Sequence, residues 1–124
     1  MKIFDCFQFF DEEMLLDLRL NIMDKYVDKF VITEANYMHN GKPKKLNFDI
    51  NKFSKFKDKI IYIPVNEQPS NLHKVNDDDE ADLKLKKKTD NAKKREMYQI
   101  NKALDGLINV DPNDKVIKII IVPR

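Results

Sequence analysis

Asp28-Lys29-Phe30-Val31-Ile32-Thr33-Glu34 holds its apolar residues in a continuous block rather than in alternation. The block is too short for a helix, and apolarity on successive residues marks a strand covered on both faces, the kind that parallel sheets contain. Upstream, Lys2-Ile3-Phe4-Asp5-Cys6-Phe7 is short, aromatic and β-branched and reads as a first strand. Between the two, Asp11-Glu12-Glu13 supplies an N-cap and an acidic first turn for a helix. In that helix Leu15, Leu18 and Ile22 recur beside Leu16, Leu20 and Met23 as a wide apolar stripe that ends near Lys25. The order is β, α, β, and a right-handed crossover between such strands makes them parallel.

Downstream, residues 35–58 read as a loop with a short helix: Asn40-Gly41-Lys42-Pro43 is a turn signal, and Phe48, Ile50, Phe53 and Phe56 follow among lysines. Lys59-Ile60-Ile61-Tyr62-Ile63-Pro64-Val65 is a third strand, in which Pro64 cannot donate to a ladder and belongs near an end or on an edge. A polar loop leads to a long helical pattern from Glu80, where Met97, Ile100, Leu104 and Leu107 form the expected apolar stripe and Gly106 stands where the helix can terminate. Asp111-Pro112-Asn113-Asp114 is a turn, and residues 116–122 are a fourth apolar run before Pro123-Arg124. The expected architecture is one α/β domain over residues 1–124: a mostly parallel sheet, strands centred near Phe4, Val31, Ile61 and Ile119, helices on both faces. A parallel strand normally feeds a further helix, so a sequence closing on its fourth strand reads as the front of a larger domain.

At 124 residues, 42% hydrophobic and 35% charged, the chain has the composition of a folded soluble domain. A net charge of +2 is too small to imply nucleic acid as a partner. No stretch reaches the length of a membrane span and the N-terminus carries no signal-peptide pattern, so the sequence reads as cytoplasmic. The only glycines are Gly41 and Gly106, which excludes Gly-rich dinucleotide and P-loop cradles. Cys6 reads as a buried core residue, His39 and His73 as loop residues with no zinc spacing, and Asp77-Asp78-Asp79-Glu80 as an acidic loop. In open parallel sheets ligands bind at the carboxyl ends of the strands, which directs attention to Gln8-Phe9-Phe10, to Glu34-Ala35-Asn36-Tyr37 and to Asn66-Glu67.

Asp5-Cys6-Phe7-Gln8-Phe9-Phe10-Asp11-Glu12-Glu13-Met14-Leu15-Leu16-Asp17-Leu18-Arg19-Leu20 resembles the opening of glycosyltransferase family 17, the family of the β-1,4-mannosyl-glycoprotein 4-β-N-acetylglucosaminyltransferase. The resemblance continues in order through Val27-Asp28-Lys29-Phe30-Val31-Ile32-Thr33-Glu34-Ala35-Asn36-Tyr37, through Gly41-Lys42-Pro43-Lys44-Lys45-Leu46-Asn47-Phe48, and through Arg95-Glu96 and residues 99–107. It implies a Rossmann-like GT-A fold that inverts the anomeric centre of a nucleotide-sugar donor, UDP-GlcNAc or a related UDP-sugar, and passes the sugar to a glycan acceptor. It also implies Mn²⁺ or Mg²⁺ held by an Asp-x-Asp motif, because the departing diphosphate builds negative charge. Glu34 and Asn36 match the block after the second strand and become candidate donor contacts, as do Phe7, Arg95 and Asn101.

Departures from the family pattern are specific. Ala35 stands where the family tends to show Ser, and Ile100 where it often places Arg. After the fourth strand the family pattern leads to Ser-Asp-x-Asp, whereas here Val122 is followed by Pro123-Arg124. The Asp-x-Asp segment and an identifiable catalytic base are therefore missing, and the expectation is a glycosyltransferase portion inactive alone. A structural role competes for Asp5, Glu34 and Asn36, which can satisfy loop amides and turns at strand ends. Two other functions compete. A phosphoacceptor receiver domain needs an Asp after its third strand, where Asn66-Glu67 stands instead, and a non-catalytic module would bind a polyanion through the Lys-rich residues 84–95.

Overall fold

The computed structural model describes residues 2–107 and the backbone of residues 116–120. The turn expected at 111–114, the side chains of the fourth apolar run and Pro123-Arg124 lie outside the described residues. The elements are β1 (Lys2–Gln8), α1 (Glu13–Met23), β2 (Lys29–Ala35), a 3₁₀ segment (Ile50–Phe56), β3 (Ile60–Val65), α2 (Ala81–Lys102), a second 3₁₀ segment (Ala103–Leu107) and β4 (Val116–Ile120). All strand pairings are parallel, in the order β3-β2-β1-β4, with Cys6 opposite Val31 on one side and Ile120 on the other. The chain thus steps outward from β1 to β3 and then returns across the sheet to β4. Pro64 lies in β3, an edge strand, where its missing N–H leaves no unpaired ladder position inside the sheet.

β2 is buried along both faces, as its unbroken apolar run requires. Phe30 and Ile32 pack with Leu16 and Leu20 of α1 and with Phe53 and Phe56 on one face. Val31 packs with Phe4, Cys6 and Ala103 on the other. Alternate residues of a strand point to opposite faces, so helices cover both sides of the sheet.

Two expected stripes are rearranged. On α1 only Leu16 and Leu20 are buried, while Leu15, Leu18 and Ile22 remain exposed. On α2 Met97 and the following Leu104 are exposed, and the buried face is Asn91, Gln99 and Ile100, followed by Ala103. A residue as small as Ala103 lets the helix end approach the sheet, which turns the longer side chains outward. Gly106 is not the helix terminator: α2 stops at Lys102, and a Cβ on Gly106 would lie 2.9 Å from Cγ1 of Val31. Close approach to the sheet, rather than capping, explains the glycine.

Candidate functional site

The carboxyl ends of β1 and β2 open into a cavity of about 380 Å³. Its walls come from Gln8, Phe9 and Phe10 after β1, from Ala35, Tyr37, Met38, His39 and Asn40 after β2, and from Gln99 of α2. The roof is a small hairpin. Tyr37 bridges Pro43 in antiparallel fashion, the Met38 N–H donates to the Lys42 carbonyl at 2.8 Å, and the Gly41 N–H returns to the Met38 carbonyl at 2.8 Å. Gly41 takes φ +88°, a left-handed conformation that other residues adopt at a cost.

Arg95 clamps this roof from α2. Its Nη1 donates to the His39 carbonyl at 2.8 Å and its Nε to Gln68 Oε1 at 2.8 Å. A Cβ on Gly41 would sit 2.7 Å from Nη2 of Arg95, so strain and steric conflict coincide there. Gly41→Ala is expected to destabilise the chain by about 1–2 kcal/mol, read as a lowered melting temperature, while Lys42→Ala, an exposed side chain on the same turn, leaves it within about 0.5 kcal/mol.

Tyr37 fixes the hairpin to the next loop by donating its hydroxyl to the Glu67 carbonyl at 2.7 Å. Its phenol pKa is raised, first by burial and then by the neighbouring Tyr98. The N–H of Asn36 donates to the Val65 carbonyl at 3.1 Å and its own carbonyl accepts from the Lys44 N–H at 2.9 Å, so Asn36 starts the hairpin and its side chain is half-buried. Gln8 ties β1 to α2 by donating to the Glu96 carbonyl at 3.1 Å.

Glu34 does not face this cavity, which corrects the expectation of an open donor contact. The side chain is wholly buried on the α1 side of β2 and accepts from Lys44 Nζ at 2.6 Å, the Tyr62 hydroxyl at 2.8 Å, the Asn47 N–H at 2.7 Å and the Phe48 N–H at 3.0 Å. Strand alternation is the cause, since Glu34 shares the face of Phe30 and Ile32 whereas the cavity opens beside Ala35. Its carboxylate orders the loop at 44–48, the competing role for a charge at a strand end.

The other predicted residues are dispersed. Phe7 lines an adjoining, wider apolar groove along α1, of about 710 Å³, which shares Gln8, Phe9 and Glu12 with the cavity, and the Arg19 guanidinium lies 4.5 Å from its ring centre. Asn101 is exposed on the last turn of α2 and lines neither cavity. Cys6 is buried in the sheet's α2 face. In the Lys-rich helix, Lys87 donates to Asp79 at 2.7 Å and Lys94 to the Asn71 carbonyl at 2.7 Å.

The sequence model of glycosyltransferase family 17 matches residues 1–111, nine-tenths of a chain whose sheet ends form this cavity. The chain belongs to glycosyltransferase family 17. No curated protein and no solved structure matches it. A family 17 chain implies a sugar donor and a glycan acceptor as its partners. Among the described residues no helix is long and apolar enough to cross a membrane.

Among the described residues no three His, Cys, Asp or Glu side chains are grouped to hold a divalent metal. Glu12, the carboxylate on the cavity wall, already accepts the N–H groups of Phe10 at 3.1 Å and Asp11 at 2.8 Å. Asp79 of the acidic loop is turned to Lys87 and to the Asn76 N–H at 2.9 Å.

One cavity feature was invisible in the sequence. Gln99 is 4% exposed and its carboxamide has no hydrogen-bond partner among the described residues. One turn before it, Oε1 of Glu96 is enclosed without a partner, as is Oγ1 of Thr33. Gln99 sits in a helix whose pattern points to Met97 and Leu104 as the inward residues, so only packing reveals it.

Proposed function

We propose that this chain is the donor-binding portion of a Rossmann-like, GT-A-type glycosyltransferase that takes UDP-GlcNAc or a related UDP-sugar and transfers the sugar, with inversion, to a glycan acceptor. The observation that carries the reading is the cavity at the carboxyl ends of β1 and β2 in a family 17 chain, the place where open parallel sheets bind their ligands. Aromatic and apolar walls from Phe9, Phe10, Tyr37 and Met38 suit a planar base, and the Arg95-clamped hairpin holds the roof over it. Arg95 supports the donor pocket through the loop, giving Nε to Gln68 and Nη1 to His39.

Inverting transfer needs a carboxylate base on the acceptor hydroxyl and stabilisation of the departing diphosphate. Glu34 is committed to backbone, phenol and lysine donors, Glu12 gives one oxygen to backbone N–H groups, and among the described residues no three ligand side chains are grouped for the expected metal, Mn²⁺ or Mg²⁺. On this reading the chain binds donor without turning it over by itself. In an amide chemical-shift titration with UDP-GlcNAc, Phe9, Phe10, Tyr37 and Gln99 are expected to move. Incubation of the same chain with UDP-sugars, glycan acceptors and Mn²⁺ is expected to form no glycoside. An unchanged spectrum of the folded chain at saturating nucleotide overturns the donor reading, and metal-dependent product overturns the inferred inactivity.

A further inference from the structure

Gln99 is a polar side chain set in the cavity wall. It projects from the last full turns of α2 into the cavity wall, 96% removed from solvent, and neither end of its carboxamide finds a partner among the described residues. Its carboxamide atoms are not among the fully enclosed unpaired ones, so they open onto the cavity, where an entering ligand meets them. Ala35, Phe9 and Tyr37 line the same cavity, and the Gln8 amide nitrogen is bound to the Glu96 carbonyl. That last bond joins β1 to α2 one turn from Gln99 and holds the helix against the cavity.

We propose that Gln99 reads the edge of the donor's base. The proposal rests on the donor reading above. A carboxamide offers one acceptor oxygen and two donor hydrogens side by side. Uracil presents its N3–H donor next to a carbonyl acceptor, so one Gln99 carboxamide accepts from N3–H and donates to the neighbouring carbonyl, both within a cavity walled by Phe9, Phe10 and Tyr37. Such a pair replaces solvent at the amide when a base is bound. Selectivity then follows from the penalty on ligands that leave the carboxamide unpaired. Gln99 is a specificity residue in this reading and takes no part in bond cleavage.

Binding of UDP and of N3-methyl-UDP to the 124-residue chain, measured by calorimetry for wild type, Gln99→Ala and the near-isosteric Gln99→Met, tests it. Wild type is expected to bind UDP about ten- to a hundredfold more tightly than either variant, the range for losing a desolvated pair of hydrogen bonds. N3-methyl-UDP, which lacks the N3 proton, is expected to bind all three chains equally and weakly. Gln99→Met preserves the side-chain volume, so it carries the comparison if the alanine variant melts early. Equal UDP affinity in wild type and variants overturns the assignment and leaves the donor cavity standing. A proportional loss for UDP and N3-methyl-UDP also overturns it, since Gln99 then touches something other than the base edge. Absence of UDP and UDP-GlcNAc binding to folded wild type removes the donor reading and this inference with it.

Discussion

Glu34→Ala is expected to lower the melting temperature by about 10–20 °C, the consequence of losing about 3–5 kcal/mol when one partner of a buried ion pair is deleted. The Lys44 side chain is 7% exposed and its ammonium pairs with the Glu34 carboxylate. Without that carboxylate a buried cation, the Tyr62 hydroxyl and the N–H groups of Asn47 and Phe48 lose a shared acceptor together. Glu34→Gln keeps the volume and one acceptor oxygen and falls between wild type and alanine. Because Glu34 and Lys44 share one network, adding Lys44→Met to Glu34→Gln costs less than the sum of the two single changes. Thermal denaturation of the four chains measures this, and additive losses would refute a shared network.

The same network sets an alkaline limit. The Tyr62 phenol pKa is raised far above its ordinary value by burial, by its hydrogen bond to Glu34 and by the Glu34 charge. A raised pKa means that the unfolded chain gives up this proton first, so the stability from Tyr62 is complete below about pH 10 and declines as pH rises above it. Tyr62→Phe flattens that alkaline decline in a series of urea melts.

Arg19→Leu is the second large effect, with an expected loss of about 3–5 kcal/mol. Asp5 is wholly buried in the middle of β1, and its carboxylate is held by two guanidinium donors of Arg19, Nε at 2.8 Å and Nη2. Removing Arg19 strands a charge between sheet and helix and also removes the cation resting on the Phe7 ring. Replacing both partners by apolar residues, Asp5→Val with Arg19→Leu, is expected to recover most of the loss, because no charge then remains to be desolvated. Urea denaturation with an unchanged slope for all three variants gives the comparison. A double variant as unstable as Arg19→Leu would show that packing of the arginine stem, rather than the buried charge, carries the energy.

Local pattern carried the elements. The continuous apolar block at Phe30-Val31-Ile32 identifies a strand buried on both faces, the three- and four-residue spacing in α1 and α2 identifies helices, and their alternation requires a parallel sheet. Pro64 announced its edge strand because a missing N–H is a property of the residue itself. The ordered blocks from Asp5 to Leu107 likewise placed the chain in its family.

Facing was decided only by tertiary contact. Periodicity states that α1 has an apolar side but not that Leu16 and Leu20 are enclosed while Leu15 and Leu18 stay in solvent, since that depends on how α1 crosses the sheet. For the same reason Glu34 and Ala35, neighbours in sequence, part company: one carboxylate turns inward to Lys44 while the next residue lines the cavity. Gln99 reads from the sequence as one polar residue in a charged helix. The close approach of Ala103 and Gly106 to Phe4, Cys6 and Val31 draws that helix end onto the sheet and brings Gln99 to the mouth of β1 and β2. Element type is written in residues a few positions apart, whereas a site is assembled from residues such as Gln8, Tyr37 and Gln99, whose proximity exists only once the sheet has formed.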